Sequence, residues 1–272
     1  MWENAKLGPE AFHLKGRKAL VVGAGSGAGR AIALALAEAG ADVAVSSATQ
    51  NAAEVLAVKR LAQRIGVEDV RRSLAQAVDA TLGTGVQVMV RQVAKEMGRI
   101  DILVAAPDAY LGKPADKTAD PEWARVLNLN LSAVFFACRA VGREMLKQEW
   151  SPAGATGGRI ITVASGLGER GIANSAAYCA AKGGVINLTR ALAQEWGPHS
   201  ITVNCIAPAW MEDTPGLGSP DPEASRLVRF IPMRRPGKEE EVGPVAVWLA
   251  SDAAGYVSGQ TFFVDGGLLC HL

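Results

Sequence analysis

The amino-acid sequence predicts an α/β fold, in which a parallel sheet of about seven strands is covered by helices on both faces. Two observations support this. Short runs rich in valine and isoleucine alternate along the chain with longer, alanine-rich stretches of helical periodicity. The predicted strands are also apolar throughout, as expected of strands that are buried on both faces. We expect residues 1–272 to form a single domain, with an N-terminal extension over 1–13 and a long loop over 211–225.

Strands and helices are predicted to alternate in order along the chain. The strands cover 19–25, 42–47, 73–80, 100–106, 158–165, 201–209 and 259–267. The helices cover 29–41, 51–65, 84–98, 120–150, 175–197 and 239–251. Gly40 is suited to end the first helix, and Asp120 and Pro121 fit the N-cap and N1 positions of the fourth.

Composition and charge exclude several classes of function. The net charge is +1 and no stretch is strongly basic, which argues against a nucleic-acid partner. We find no apolar run of 18 or more residues and no signal-peptide core, so we expect a cytoplasmic protein that does not span a membrane. Four widely spaced cysteines and three scattered histidines predict neither a metal site nor a disulfide framework.

A glycine-rich segment, VVGAGSGAGRAI, joins the first predicted strand to its helix. Glycines permit a tight turn there and let backbone N–H groups approach a pyrophosphate at the helix N-terminus. The spacing fits G-x-G-x-x-A and also G-x-x-x-G-x-G. We therefore predict a Rossmann-type, doubly wound sheet that binds a dinucleotide. The expected binding residues are Gly23, Gly25, Ser26, Gly27, Ala28 and Gly29.

The end of the second strand bears on the form of the cofactor. Enzymes that use NAD usually place an acid there, to bind the ribose 2′-hydroxyl. Ser47 and Ala48 occupy that place, and Ser46 and Thr49 beside them could hydrogen-bond a phosphate. Because no carboxylate is expected to repel a 2′-phosphate, we predict NADP(H), with NAD(H) as the alternative.

Tyr178 and Lys182 lie four residues apart on a predicted helix and therefore share a face. Hydride transfer to a carbonyl needs a group that gives a proton to the oxygen. A free tyrosine has a pKa of about 10, and a nearby ammonium favours the phenolate. Ser165, at the end of the preceding strand, could hold the substrate oxygen. These three residues predict a proton-transfer site beside the dinucleotide.

Taken together, the glycine loop, Ser165, the Tyr-x-x-x-Lys pair and the terminal VDGG resemble the short-chain dehydrogenase/reductase family, and especially its 3-oxoacyl thioester reductases. The resemblance extends from about residue 14 to 268. It implies an oxidoreductase for a small carbonyl–alcohol pair, often a homotetramer or homodimer, in which the loop over 211–225 covers substrate. It maps a fourth catalytic residue onto Asn130 and further cofactor contacts onto Asp79, Ala80, Ala105, Ala106, Pro107, Tyr178, Lys182, Pro208, Ala209 and Thr214.

The chain departs from the family pattern at three places. Val22 replaces a threonine, and Ala209 replaces a glycine after Pro208. The fourth strand ends in Ala-Ala-Pro-Asp where the family has Asn-Asn-Ala-Gly, which brings Asp108 near the nicotinamide ribose. We expect sequence drift that keeps the backbone path. The other interpretation is an altered cofactor affinity or pocket.

Two further questions stay open at this point. The altered strand end also fits a nucleotide-binding sensor that keeps the fold and turns over slowly. Trp210 and Met211 fit an apolar substrate surface equally well as packing between the loop and the core.

Overall fold

Seven parallel strands form one sheet in the computed structural model, which describes residues 8–66, 73–150, 157–212, 214 and 228–270. Residues 1–7 of the predicted extension, and most of the predicted loop over 211–225, lie outside these ranges. The strands are β1 (Lys18–Val22), β2 (Asp42–Ser46), β3 (Ser73–Gln76), β4 (Ile102–Ala105), β5 (Gly158–Val163), β6 (Ile201–Pro208) and β7 (Thr261–Val264).

Seven α-helices that lie wholly within the described ranges connect or flank these strands. They are α1 (Gly27–Glu38), α2 (Ala52–Gly66), α3 (Gly83–Met97), α4 (Asp120–Leu127), α5 (Ala133–Met145), α6 (Ala176–Trp196) and α7 (Gly243–Ala250). The predicted α/β fold is therefore confirmed, with every predicted strand present.

The strand order is β3-β2-β1-β4-β5-β6-β7, so the chain changes its winding direction between β1 and β4. Doubly wound sheets bind ligands at such a point, in the crevice beyond the carboxyl ends of the strands. In the register of the sheet, Val22 pairs with Ser46 on one side and with Ala105 on the other. The segments that follow these three strands consequently emerge together at one edge.

Both faces of the sheet are buried, as the apolar strands predict. In β1, Leu20 and Val22 belong to one apolar core, whereas Ala19 and Val21 belong to the other. The first core packs under α3, α5 and α6, and the second under α1, α2 and α7. Because successive side chains of a strand point to opposite faces, a strand in this position has no polar side.

The helix expected over 120–150 differs from the prediction in its N-cap residue, in its last residue and in its middle. It begins at Asp120 with Ala119 as N-cap, because the Glu122 carboxylate accepts the Ala119 N–H at 2.9 Å. It ends at Met145, where the Trp150 indole N–H donates to the Met145 carbonyl at 3.1 Å. A π-helical turn over Asn128–Ser132 separates α4 from α5.

Asp120–Met145 is long enough to cross a membrane, and an 18-residue window within it, with a mean hydropathy of 1.2, is apolar enough, by length and composition only. Half of its apolar window is buried inside the fold. In α5, Val134, Ala137 and Val141 are fully buried in the core. The segment is thus built as a core helix.

We predict that Leu103→Ala, in the middle of β4, lowers the free energy of unfolding by about 2 to 5 kcal/mol, because it opens a cavity in a fully buried position. Leu56→Ala is the matched control, since the Leu56 side chain on α2 is 47% exposed and should change the free energy by about 0.5 kcal/mol or less. Urea unfolding followed by circular dichroism measures both. Equal losses in the two variants would contradict the assignment of β4 to the core.

Candidate active site

At the glycine loop, the backbone that follows β1 passes very close to the backbone that follows β4. Gly23 has a φ of +82°, and a Cβ added there would lie 2.7 Å from the Ala106 carbonyl oxygen. A Cβ at Gly29 would lie 2.2 Å from the Gly23 carbonyl oxygen, so α1 also needs glycine to pack on the loop. Gly23 thus permits the tight turn that the sequence predicts, and Gly29 permits the close packing of α1 on the loop.

A cleft of about 810 Å³ opens at the carboxyl edge of the sheet, and α1 begins at its wall. The N-terminus of a helix presents free N–H groups and a partial positive charge, which suit a phosphate. The predicted cofactor residues in the lining are Gly23, Ser26, Gly27, Ala28, Gly29, Ala48, Ala106, Tyr178, Pro208, Ala209 and Thr214. This part of the chain thus fits a dinucleotide.

Other predicted cofactor residues lie next to the cleft and not in its lining. Ser47 is fully buried, and its hydroxyl bonds both the N–H and the carbonyl of Val78. Asp79 accepts hydrogen bonds from the N–H and the hydroxyl of Thr81. Outside the lining stand Gly25, Ser47, Asp79, Ala80, Ala105, Pro107 and Lys182. Their predicted contacts with cofactor remain predictions.

Tyr178 and Lys182 share a face of α6, with the Lys182 Nζ 5.4 Å from the centroid of the Tyr178 ring. Tyr178 and Ser165 line the cleft, and both are almost fully buried. The Tyr178 ring also meets Tyr110 edge to face, at 5.3 Å between centroids. The structure therefore brings the predicted serine, tyrosine and lysine together at the end of β5.

Asp108 contacts both members of the tyrosine–lysine pair. The Tyr178 hydroxyl donates to the Asp108 Oδ1 at 2.9 Å, and the Lys182 Nζ lies 2.8 Å from the same oxygen. The Lys182 ammonium also donates to the carbonyls of Pro107 and Val163, each at 3.4 Å. The expectation that the Ala-Ala-Pro-Asp ending is mere drift is wrong for Asp108, whose side chain enters the proton-transfer site.

The pKa of Tyr178 is raised well above its ordinary value, first by burial and then by the charge and hydrogen bond of Asp108. A hydrogen bond from Ser165 lowers the pKa of Tyr178 in part. This corrects the expectation that Lys182 favours the phenolate in the chain as it stands. The reasons are the burial of the phenol and the Asp108 carboxylate, whose Oδ1 contacts both the phenol and the ammonium.

Asn130 is fully buried in the π-helical turn, where the Ala133 N–H bonds the Asn128 carbonyl five residues back. Its side-chain amide donates to the carbonyls of Ala109 and Val126 and accepts the Ala109 N–H at 3.0 Å. Such single π-turns are frequent at functional sites. Here the turn fixes the backbone immediately after Asp108.

Glu54 is a functional candidate that the sequence analysis did not identify. It lies in the first turn of α2 and lines the cleft. Its carboxylate accepts the N–H of Ala48 at 2.6 Å and the N–H and hydroxyl of Thr49. The expectation that the turn after β2 carries no carboxylate is therefore wrong, because the acid folds back onto this turn from six residues later.

Apolar side chains form the outer wall of the cleft. Trp210, Met211 and Phe230 line it from the segment after β6, and Leu268 and Leu269 from the segment after β7. Met211 is buried and Trp210 half-buried. Among the residues described here, no group of three or more His, Cys, Asp or Glu side chains is placed to hold a metal ion.

Comparison with known proteins identifies the family. The sequence profile of a family described as Enoyl-(Acyl carrier protein) reductase matches residues 23–269. D-threitol dehydrogenase of Mycolicibacterium smegmatis is 38% identical over 257 residues, which are 94% of each chain. A crystal structure of a short-chain type dehydrogenase/reductase from Mycobacterium marinum is 33% identical with a TM-score of 0.84, and covers 96% of this chain and 99% of its own. The chain belongs to the short-chain dehydrogenase/reductase family.

A further member of the short-chain dehydrogenase/reductase family carries cofactor. The crystal structure of a gluconate 5-dehydrogenase from Burkholderia cenocepacia J2315, in complex with NADP and tartrate, is 32% identical with a TM-score of 0.86. It covers 97% of this chain and 99% of its own. The protein is accordingly a nicotinamide-dependent oxidoreductase acting on a secondary alcohol or a carbonyl. This favours the enzyme over the alternative of a nucleotide sensor.

We predict that Gly23→Ala weakens cofactor binding at least about tenfold, because its Cβ would meet the Ala106 backbone inside the loop. Gly16→Ala is the matched control: its φ of +86° is equally strained for alanine, but nothing lies within 4 Å of its Cβ. Titrations with NADH and NADPH, followed by nicotinamide fluorescence, measure both variants. Equal affinities in the two variants would refute the loop as the binding site.

Proposed function

We propose that this short-chain dehydrogenase/reductase interconverts a ketone and a secondary alcohol, with Tyr178 exchanging the proton on the substrate oxygen. The observation that supports it most is the meeting of two features in one cleft. The phosphate-binding glycine loop lines one part of it, and Ser165 and Tyr178 line another. When bound, the nicotinamide would supply or accept the hydride.

We assign a task to each of the four candidate catalytic residues from its contacts or from the family resemblance. Tyr178 carries the transferable proton on its hydroxyl, and Ser165 hydrogen-bonds that hydroxyl. Lys182 holds its ammonium 5.4 Å from the centroid of the Tyr178 ring and 2.8 Å from Asp108. Asn130 belongs, by the family resemblance, to the proton link between Lys182 and solvent. Its amide meanwhile fixes Ala109 at the rim of the cleft.

The form of the cofactor is the finer question. The NADP in the Burkholderia structure supports NADP(H). Glu54 works against it, since a 2′-phosphate needs the N–H groups that this carboxylate already engages. A ribose 2′-hydroxyl could instead donate to it. We therefore propose that both forms bind and that Glu54 lowers the affinity for NADP(H).

The substrate is proposed to be a small hydroxylated carbonyl–alcohol pair, of the sugar-alcohol or sugar-acid type. The names of the threitol and gluconate dehydrogenases support this class. Arg125 and Arg170 line the cleft and suit an acidic or hydroxylated molecule. The apolar wall around Trp210 suits the second class that the resemblance implies, the 3-oxoacyl thioesters. A panel of D-threitol, D-gluconate and acetoacetyl-CoA separates the two.

Assembly and location are part of the same proposal. We propose a homotetramer or homodimer that uses α5, α6 and β7, as the family resemblance implies, and sedimentation velocity would measure its mass. We propose a cytoplasmic location. It is supported by four free thiols, of which Cys138 and Cys205 are buried in the core, as is typical of proteins in reducing compartments.

We predict that Tyr178→Phe lowers kcat by about 10²- to 10⁴-fold, because the substrate oxygen loses its proton donor, and leaves the Kd for cofactor within about twofold. Steady-state kinetics with the best substrate of the panel and fluorescence titration measure the two quantities. Tyr256→Phe is the control, since the Tyr256 side chain is fully exposed at the surface. Unchanged turnover in Tyr178→Phe would refute the proposed proton donor.

We predict that Glu54→Gln raises the affinity for NADPH relative to NADH about tenfold, because it removes a negative charge while keeping an acceptor for a loop N–H. Glu38→Gln, which removes an exposed carboxylate at the end of α1, should leave the ratio unchanged. Fluorescence titration gives both dissociation constants. An unaltered ratio in Glu54→Gln would refute its role in selectivity, whereas wild-type protein that binds neither form would refute the dinucleotide site itself.

A further inference from the structure

Asp108 stands where the family has a glycine, and no role follows for it from the family pattern. Its carboxylate is the acceptor closest to Lys182 and at the same time accepts the Tyr178 hydroxyl. Lys182 is 1% exposed in this site. A buried ammonium is costly unless an opposite charge and hydrogen bonds compensate it. Asp108 is the charged group that does so among the contacts of Lys182 in the described chain.

The backbone on either side holds Asp108 in this position. Pro107 precedes it, which fixes φ at that residue, and the Pro107 carbonyl accepts from Lys182 at 3.4 Å. Ala109 follows it and is bound through both its N–H and its carbonyl to the amide of Asn130. Lys182 and Asn130 therefore hold the backbone on either side of Asp108. From this position the Asp108 side chain reaches Tyr178.

We propose that Asp108 is a positioning residue that joins Tyr178 to Lys182 and holds the Tyr178 proton up to a higher pH, so that it sets the pH at which the rates of carbonyl reduction and alcohol oxidation change. This rests on the proposed function. In reduction, hydride reaches the carbonyl carbon while the carbonyl oxygen takes the Tyr178 proton and leaves a phenolate. In oxidation, a Tyr178 phenolate takes the proton of the alcohol. Only the second direction needs the phenolate in advance.

Electrostatics around Tyr178 give the direction of the effect. A phenolate there would lie 2.9 Å from the Asp108 carboxylate, and like charges repel. The Asp108 side chain is 56% exposed, so water screens part of this repulsion, and its direction still opposes the phenolate. Burial, Asp108 and the neighbouring Cys179 all raise the pKa of Tyr178, and Ser165 lowers it. Two polar side chains also pack on the ring: Tyr110, whose hydroxyl hydrogen-bonds Ser175, and the Lys182 ammonium. The other neighbours are the apolar side chains of Val126, Ala177, Leu111 and Leu167.

The test is an alkaline titration of the tyrosines by ultraviolet absorbance in the purified protein. The chain has three tyrosines, and Tyr178→Phe identifies the transition of Tyr178 by difference. We expect Asp108→Asn to move this transition down by at least about one pH unit relative to wild type. Asp108→Gly, which restores the residue of the family, should move it in the same direction. Asp116→Asn removes an exposed carboxylate and should leave it in place.

Kinetics provide the second measurement. In Asp108→Asn, kcat/KM for alcohol oxidation should reach its plateau at a lower pH than in wild type. The difference should equal the shift of the Tyr178 transition in pH units. The kcat/KM for ketone reduction should begin to fall at that same lower pH. A merely structural role for Asp108 would change rates without moving either profile.

The two proposals fail in different ways. Tyrosine titrations that coincide in wild type, Asp108→Asn and Asp108→Gly, or that show no Tyr178 transition in any of them, would overturn the role of Asp108. Wild-type protein that oxidises and reduces nothing in the panel, although its Tyr178 titration responds to Asp108→Asn, would overturn the proposed reaction and leave the role of Asp108 intact.

Discussion

Burial of the Lys182 ammonium is the constraint on which the rest of the cleft depends. Its compensation comes from Val163 at the end of β5 and from Pro107 and Asp108 after β4. Those segments meet because β4 and β5 are paired in register, with Ala105 opposite Thr162. Burial of the Lys182 ammonium on α6 thus requires that β4 and β5 end at the same level. It also requires that the segment after β4 turns towards α6. Only then is the lysine side chain stable beside the phenol.

Much of this arrangement could be predicted because its causes are local. Apolar strands, helix periodicity and the glycines at 23 and 29 are written in consecutive residues, and each has one physical explanation. The contacts of Glu54 and Asp108 could not be predicted, for the opposite reason. Glu54 binds the Ala48 N–H across a turn, whereas an acid is expected at the strand end itself. Asp108 stands out in the sequence, but whether its side chain faces cofactor, solvent or Tyr178 depends on three segments that are distant in sequence.

Glu54 and Asp108 lie in different parts of one cleft, and each carboxylate already binds polar groups with which a bound molecule would interact. Glu54 engages N–H donors after β2, and Asp108 engages the proton of Tyr178 and the charge of Lys182. Both carboxylates would therefore compete with cofactor or substrate for the same hydrogen-bond donors. Such competition affects binding and protonation without changing the fold, which explains how a chain can keep the family architecture and still differ in selectivity and pH dependence.

The π-helical turn at Asn128–Ser132 has a consequence for the two helices that it joins. One additional residue in a turn advances the phase of everything that follows by about 100°. Leu129 and Val134, five residues apart across this turn, can consequently both belong to the same apolar core, and that stripe continues to Cys138 in α5. Losing one residue here would rotate α5 as a whole and carry its apolar stripe out of contact. The packing of α5 therefore fixes the length of this segment, just as the hydrogen bonds of Asn130 to Ala109 and Val126 fix the identity of one of its residues.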